Sequence, residues 1–285
     1  MRTIQSLLIF AALVTCSAMA DVRPDVVNSL VTELPALELT SPSSNMGIPE
    51  RGAVADLLAL GIDAVPFLIP HLSNMAMTKS YRVHGSGRKE QISVNEFVGH
   101  VITRSCGHYF YIASGESVSE HLGDKPLKNP ETIALYQEQV KRWYDHYGRW
   151  QESERRLVDI GDWFHYNRFN AYEFFAKNPA PKARQRLRAR IQTLLTEPGY
   201  NSTIASELVS CSEAIAAMGD VSDLELVKQA WINEFERPMS TSGREDKVKR
   251  LYRARVKLGD QRQAKADIES YNSRYSGRFP PIDVE

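Results

Sequence analysis

Residues 54–72 read VADLLALGIDAVPFLIPHL, and this stretch decides the fold class. Val54, Leu57, Leu58 and Gly61 fall at i, i+3, i+4 and i+7, the spacing of one apolar face of an α-helix. Ile62-Asp63 then interrupts, and Val65, Leu68, Ile69 and Leu72 repeat the same spacing. Asp63 is placed to cap the second helix, and Pro66 falls in its first turn, where a missing N–H costs little. Pro70 should bend that helix. The spacing therefore predicts a helical hairpin over residues 51–73.

Working outward, the same grammar returns near the other end. Leu208, Cys211, Ile215 and Met218 form a stripe that stops at Gly219-Asp220, and Leu224, Val227, Ala230 and Trp231 form the next. A third unit carries Val248, Leu251, Tyr252 and Leu258, then Gly259-Asp260, then Ala264, Ile268 and Tyr271. Ile160-Gly161-Asp162 is a further turn of this kind. In each, glycine can take the left-handed position that ends one helix, and the aspartate can cap the next. A short helical hairpin buries its apolar face only against a neighbour, so copies stack.

Residues Leu57 to Ile69 and Ala214 to Asp220 carry a resemblance to the HEAT-like helical repeat family, over 51–73 and 208–232. The third unit is equally similar to a tetratricopeptide-like hairpin. What the resemblance implies is an all-α fold, a short α-solenoid of stacked hairpins, and a tendency to bind other macromolecules.

Between these units the pattern changes. Residues 77–92 are polar and glycine-punctuated, which predicts a loop or small β-hairpin insertion. Ser93-Val94-Asn95-Glu96 has the capping-box pattern, and the helix it starts should end at Gly107. Residues 113–131 are turn-rich and read as a surface connection, with helices resuming at Glu131. The expected organisation is one helical repeat domain over 21–275, with halves at 21–130 and 131–275 as one division. A flexible tail is expected over 276–285.

The 285 residues balance 35 basic against 35 acidic side chains, with 42% hydrophobic and 9% aromatic content. That composition is ordinary for a globular chain. The neutral balance argues against a nucleic-acid partner, whose first sign is excess positive charge. Arg2, the apolar run Leu7 to Val14 and the small residues of Ala18-Met19-Ala20 make a secretory signal pattern with cleavage after Ala20. The expected location is therefore periplasmic or secreted. No later stretch reaches the roughly 18 apolar residues of a transmembrane helix. Cleavage would remove Cys16 and leave Cys106 and Cys211. In an oxidising compartment these either pair as one disulfide or pack as two free thiols.

Three of the four tryptophans, Trp143, Trp150 and Trp163, fall in residues 136–175 among many other rings. Tyr136, Trp143, Tyr147 and Trp150 lie at helical spacing. Two readings are open: a seam between two long helices, or an aromatic groove that binds a peptide or glycan. Trp143, Tyr147, Arg149 and Trp150 are the candidate binding anchors. The basic run from Lys182 to Arg190 reads as a solvated helix surface, as helix–helix ion pairs with Glu152, Glu154 and Asp159, or as an anionic-partner surface. His84, His100, His108 and His121 share one stretch, but no carboxylate or thiolate stands at ligand spacing, so neither metal nor cofactor is expected. Cys106-Gly107-His108 places a thiol beside an imidazole without an orienting group. Nucleophile-elbow, P-loop, dinucleotide and C-x-x-C motifs are absent from the sequence. The expected function is a protein-binding scaffold or adaptor in the cell envelope, without catalysis. The alternatives are an envelope hydrolase, a periplasmic immunity or inhibitor protein, and a structural assembly factor.

Overall fold

The computed structural model describes residues 22–41, 48–83, 86–114, 117–199, 201–236, 243–276 and 281–284. The signal pattern over 1–20 lies outside them. The described residues are mostly helical, with a few short strands.

The first half opens with α1 (Pro24–Glu33) and α2 (Ala53–Ala59). A 3-10 turn at Gly61–Ala64 leads to α3 (Val65–Leu68), and a second 3-10 segment follows at Ile69–Ser73. The deciding stretch is thus a short helix joined to a broken one, their directions differing by 109°. Pro66 and Pro70 withhold backbone donors, so the α-helical ladder stops at Leu68. Asp63 sits inside the 3-10 turn, and Ala64 holds the cap position expected for it. Residues 77–92 do form a β-hairpin. β2 (Met77–Val83) pairs antiparallel with β3 (Lys89–Ser93), and β1 (Thr40–Ser41) joins β2 in parallel. Thr78 and Ser80 point inward and are satisfied by the carbonyls of Ile92 and Leu37, both at 2.7 Å.

α4 (Val94–Cys106) starts on the expected capping box, with the Ser93 amide donating to Glu96 Oε2 at 2.9 Å. It ends at Gly107, whose φ of 64° is left-handed. The segment expected as a surface connection contains a second hairpin, β4 (Tyr111–Ser114) with β5 (Ser117–His121), and buries Leu122 and Leu127. α5 (Pro130–Tyr147) is capped by Asn129, which accepts from the Glu131 amide at 2.8 Å. Its Ile133, Tyr136 and Val140 join the first core, which draws on residues from Val27 to Val140.

The second half is helical: α6 (Glu152–Asp159), α7 (His165–Lys177), α8 (Pro181–Thr196), α9 (Ser202–Ala216), α10 (Leu224–Glu236), α11 (Arg244–Lys257) and α12 (Gln261–Arg274). α5 thus belongs to the first core, so the two halves divide after it and not at residue 130. Gly219 and Gly259 end α9 and α11 at φ 72° and 88°. Asp220 accepts from the Ser222 amide, while Asp260 turns to Arg255 instead of capping α12. α9 packs against α7, α8, α10 and α11, and the main contacts among α6 to α12 join helices one or two apart in order. Each fully buried Leu, Ile or Val in this core contributes roughly 1.5–3 kcal/mol. The second core runs from Ile160 to Ile282. Ile282 exchanges both backbone hydrogen bonds with the Asn272 side chain at 2.8 and 2.9 Å, so the described part of the expected flexible tail is docked.

The basic run of α8 is largely spent inside the second half. Arg184 and Arg188 donate to Asp223, and Arg190 donates to Glu207 at 2.7 Å. These acids lie on α9 and in the turn after it; of the partners expected, only Glu154 is met, by Lys182 at 4.0 Å. Cys106 and Cys211 are buried free thiols, one in each core. The structure carries two packed thiols in place of the bridge.

Candidate functional site

The two halves meet at the segment after α4, and Gly107 fixes its path. A Cβ on Gly107 would meet the Arg156 guanidinium, which donates to the Gly107 carbonyl. That guanidinium is the movable end of a long side chain, so the left-handed backbone is what favours glycine here. Beyond it, residues 108–111 run between α5 and α7, and alternate side chains face opposite ways, as in any extended chain.

His108 and Phe110 face α5. The His108 ring stacks on Trp143 at 5.4 Å and 23°, and Phe110 meets the same indole edge-on at 5.9 Å. Tyr109 and Tyr111 face the start of α7. Tyr109 lies 5.5 Å from Tyr166, and Tyr111 lies 4.8 Å from Phe164 and 5.9 Å from Trp163. His121 from β5 completes this side, 5.4 Å from Tyr109. The buried Asn167 of α7 holds the ribbon like a neighbouring strand. Its Oδ1 accepts from the Tyr109 amide at 2.6 Å, and its Nδ2 donates to the Tyr109 carbonyl at 3.1 Å.

The polar centre is His108 with Asp159, Nδ1 to Oδ1 at 2.9 Å. An ionised Asp159 accepts the Nδ1 proton, which fixes the ring and leaves Nε2 as the basic nitrogen. Burial pushes the Asp159 carboxyl above its usual range; the bond and charge of His108 and the charge of Arg156 pull it back in part, while Asp162 pushes the same way as burial. The Asp162 carboxylate accepts from the amide of Phe164, the residue before α7, at 2.6 Å, and the Tyr111 hydroxyl lies 3.5 Å away. Burial, with the Asp162 charge, raises the Tyr111 phenol. His121 and His165 are lowered, chiefly by burial. Beside the centre lies a cleft of about 240 Å³, lined by Thr103, Arg104, Arg156, Asn170, Glu173 and Lys177 among others.

The expected anchors fall on one edge of this junction. Trp143 is half-buried against the first core, and Tyr147 is half-buried beside it at 5.7 Å. Arg149 and Trp150 are exposed, and Trp150 lies past the end of α5, 5.0 Å from Tyr147. The stripe is therefore neither a seam of two long helices nor a single helix face. Cys106 does not act with His108 as a nucleophile pair: burial pushes its thiol far up, while the imidazole is turned to Asp159. His100 is paired with Glu50 at 3.3 Å. Sequence reasoning missed Asp159, Asp162, Tyr109, Tyr111 and Asn167. The available signal was the ring run His108-Tyr109-Phe110-Tyr111 directly after a helix terminator.

Compared with known proteins, the chain matches no family model, no curated sequence and no solved structure. Among the described residues no single helix is long and apolar enough to cross a membrane.

Proposed function

We propose that this chain is an exported helical-repeat scaffold that binds a protein partner in the cell envelope through the aromatic surface where its halves meet. The observation that carries the reading is ring exposure at the junction. Trp163, Tyr166 and Trp150 are 50%, 47% and 40% exposed, beside half-buried Tyr109, Tyr111 and Tyr147. Rings held by neighbours but open on one face bury much apolar area at low entropic cost, and such residues dominate interfaces. The contacts among α6 to α12, confined to near neighbours in order, support the reading of the second half as a short HEAT-like solenoid. The signal pattern of residues 1–20 supports export.

The test is capture of the partner from envelope extract with residues 21–285, followed by affinity measurement on the purified pair. Trp163→Ala with Tyr166→Ala should weaken binding about thirtyfold, the scale of losing one hot spot of 2 kcal/mol. Trp150→Ala should weaken it less, because that ring lies at the far edge. A captured partner that binds the combined Trp150→Ala, Trp163→Ala and Tyr166→Ala variant as tightly as wild type overturns the aromatic surface. Failure to capture any partner with folded bait overturns the scaffold reading.

A further inference from the structure

The junction gathers three metal-ligating groups that no sequence motif connects. His108 comes from the ribbon after α4, Asp159 ends α6, and Asp162 lies in the turn before α7. One ligand atom from each, an imidazole nitrogen and two carboxylate oxygens, lies within 4.8 Å of the others. A tetrahedral centre with ligands at roughly 2.1 Å sets them about 3.4 Å apart. His108 Nδ1 and Asp159 Oδ1 stand at 2.9 Å and no pair is wider than 4.8 Å, so closing on a metal asks for shifts of about 1.4 Å at most. The donors are mixed, one imidazole with two hard anions, the chemistry of borderline divalent metals such as Zn2+, Mn2+, Fe2+ or Co2+.

Two carboxylates share this partly buried place, and Asp159 is only 3% exposed. Arg156 stands 3.9 Å from Asp159 but also serves Glu152 at 3.2 Å. The Tyr111 hydroxyl at 3.5 Å from Asp162 is neutral. Arg155 also acts on Asp159, and Arg168 donates to the Asp162 carbonyl at 2.6 Å, so the two acids lie among three guanidiniums.

We propose that His108, Asp159 and Asp162 form a divalent transition-metal site that clips the two halves of the chain together. The metal would take the place of the His108 Nδ1 proton, with Nε2 then carrying the ring's proton. The site stands or falls independently of the binding partner, because it is read on the isolated protein.

The experiment titrates the purified, chelator-stripped chain with Zn2+ by calorimetry and with Co2+ by visible absorption. The expected result is one saturable site per chain, a cobalt spectrum without thiolate charge transfer, and a Tm raised by Zn2+. Asp162→Asn keeps an oxygen that can accept from the Phe164 amide and removes the charge. It should weaken Zn2+ at least tenfold, the loss seen even for outer partners of a metal site, and shrink the Tm shift. His108→Gln should weaken it further, and His146→Ala, on an exposed ring, should change nothing. Absence of saturable binding overturns the proposal. So does binding that Asp162→Asn leaves unchanged, and this variant decides the matter if His108→Gln fails to fold. Thiolate bands in the cobalt spectrum would move the site to Cys106 and overturn it as well.

Discussion

Glu207 is the anion on which α7, α8 and α9 converge, and replacing it tests how the second half is held. Its carboxylate is 1% exposed. It accepts from the Tyr172 hydroxyl at 2.8 Å, Arg190 Nε at 2.7 Å and Arg168 Nη2 at 3.0 Å. Burial alone would push this carboxyl up, but the bonds and charges of Arg190, Arg168 and Tyr172 outweigh it and hold it below the usual range. Glu207→Leu keeps the volume and removes the anion. It leaves Arg190 and Arg168, whose side chains are 24% and 12% exposed, without their carboxylate, Arg168 keeping the carbonyls of Asp162 and Trp163, and it takes the Glu207 acceptor from the Tyr172 hydroxyl. Breaking a buried pair on one side costs about 3–5 kcal/mol, and the water that reaches Arg190 places this case near the lower end, about 3 kcal/mol. At roughly 2–4 °C per kcal/mol for a chain of this size, Tm should fall by about 6–12 °C. Urea unfolding followed by circular dichroism measures the difference directly. Its pH dependence follows in sign from the lowered carboxyl. The contribution is fully present above the unfolded value, near 4.5, and is lost as pH falls through the lower folded value. The gap between wild type and Glu207→Leu should be widest at pH 6–7 and narrow below pH 4.5. A gap under about 1 kcal/mol at pH 7, or one that does not narrow in acid, refutes the carboxylate as the anchor.

Three further outcomes follow from local geometry. Gly107→Ala should destabilise by about 1–2 kcal/mol from the left-handed backbone alone, with more from displacing Arg156, as read by the urea midpoint. Ser93→Ala, which removes half of the capping box of α4, should cost about 1 kcal/mol in the same assay. Cys106 and Cys211 should stay unreactive toward Ellman's reagent in the native protein and both react in denaturant, because burial raises both thiols and neither is oxidised; a Tm that drops with reductant would refute this.

The parts of the fold legible in the sequence are those fixed by neighbours within a turn or two. The Ser93–Glu96 box, the stop at Gly107 and the glycine turns at 219 and 259 each depend on contacts only a few residues apart. Local chemistry also misled where two local rules competed. In residues 61–73 the apolar spacing asked for one helix, but two prolines four residues apart broke the ladder into 3-10 and α segments. The basic run of α8 failed for the opposite reason. Arg184 and Arg188 meet Asp223 across 39 and 35 residues, and nothing within the run itself says which distant acid will arrive.

The junction was least legible because the bonds that join its two sides are long-range. His108 meets Asp159 across 51 residues, and Tyr109 meets Asn167 across 58. Two sequence features nonetheless mark it. Four ring-bearing residues in succession, 108–111, cannot share one helix face. After a left-handed glycine they must run extended, and an extended chain offers rings to both sides. α7 then bears Tyr166, Asn167, Asn170 and Phe174 toward the ribbon and cleft, and Ala171, Tyr172 and Phe175 toward the second core. A helix with rings around much of its circumference has neighbours on both sides. Taken together, a two-sided ribbon beside a two-sided helix specifies a joint between halves rather than the surface of one. That placement explains why the rings here are only partly covered: each half buries one side of them, and the seam leaves Trp163 and Tyr166 open.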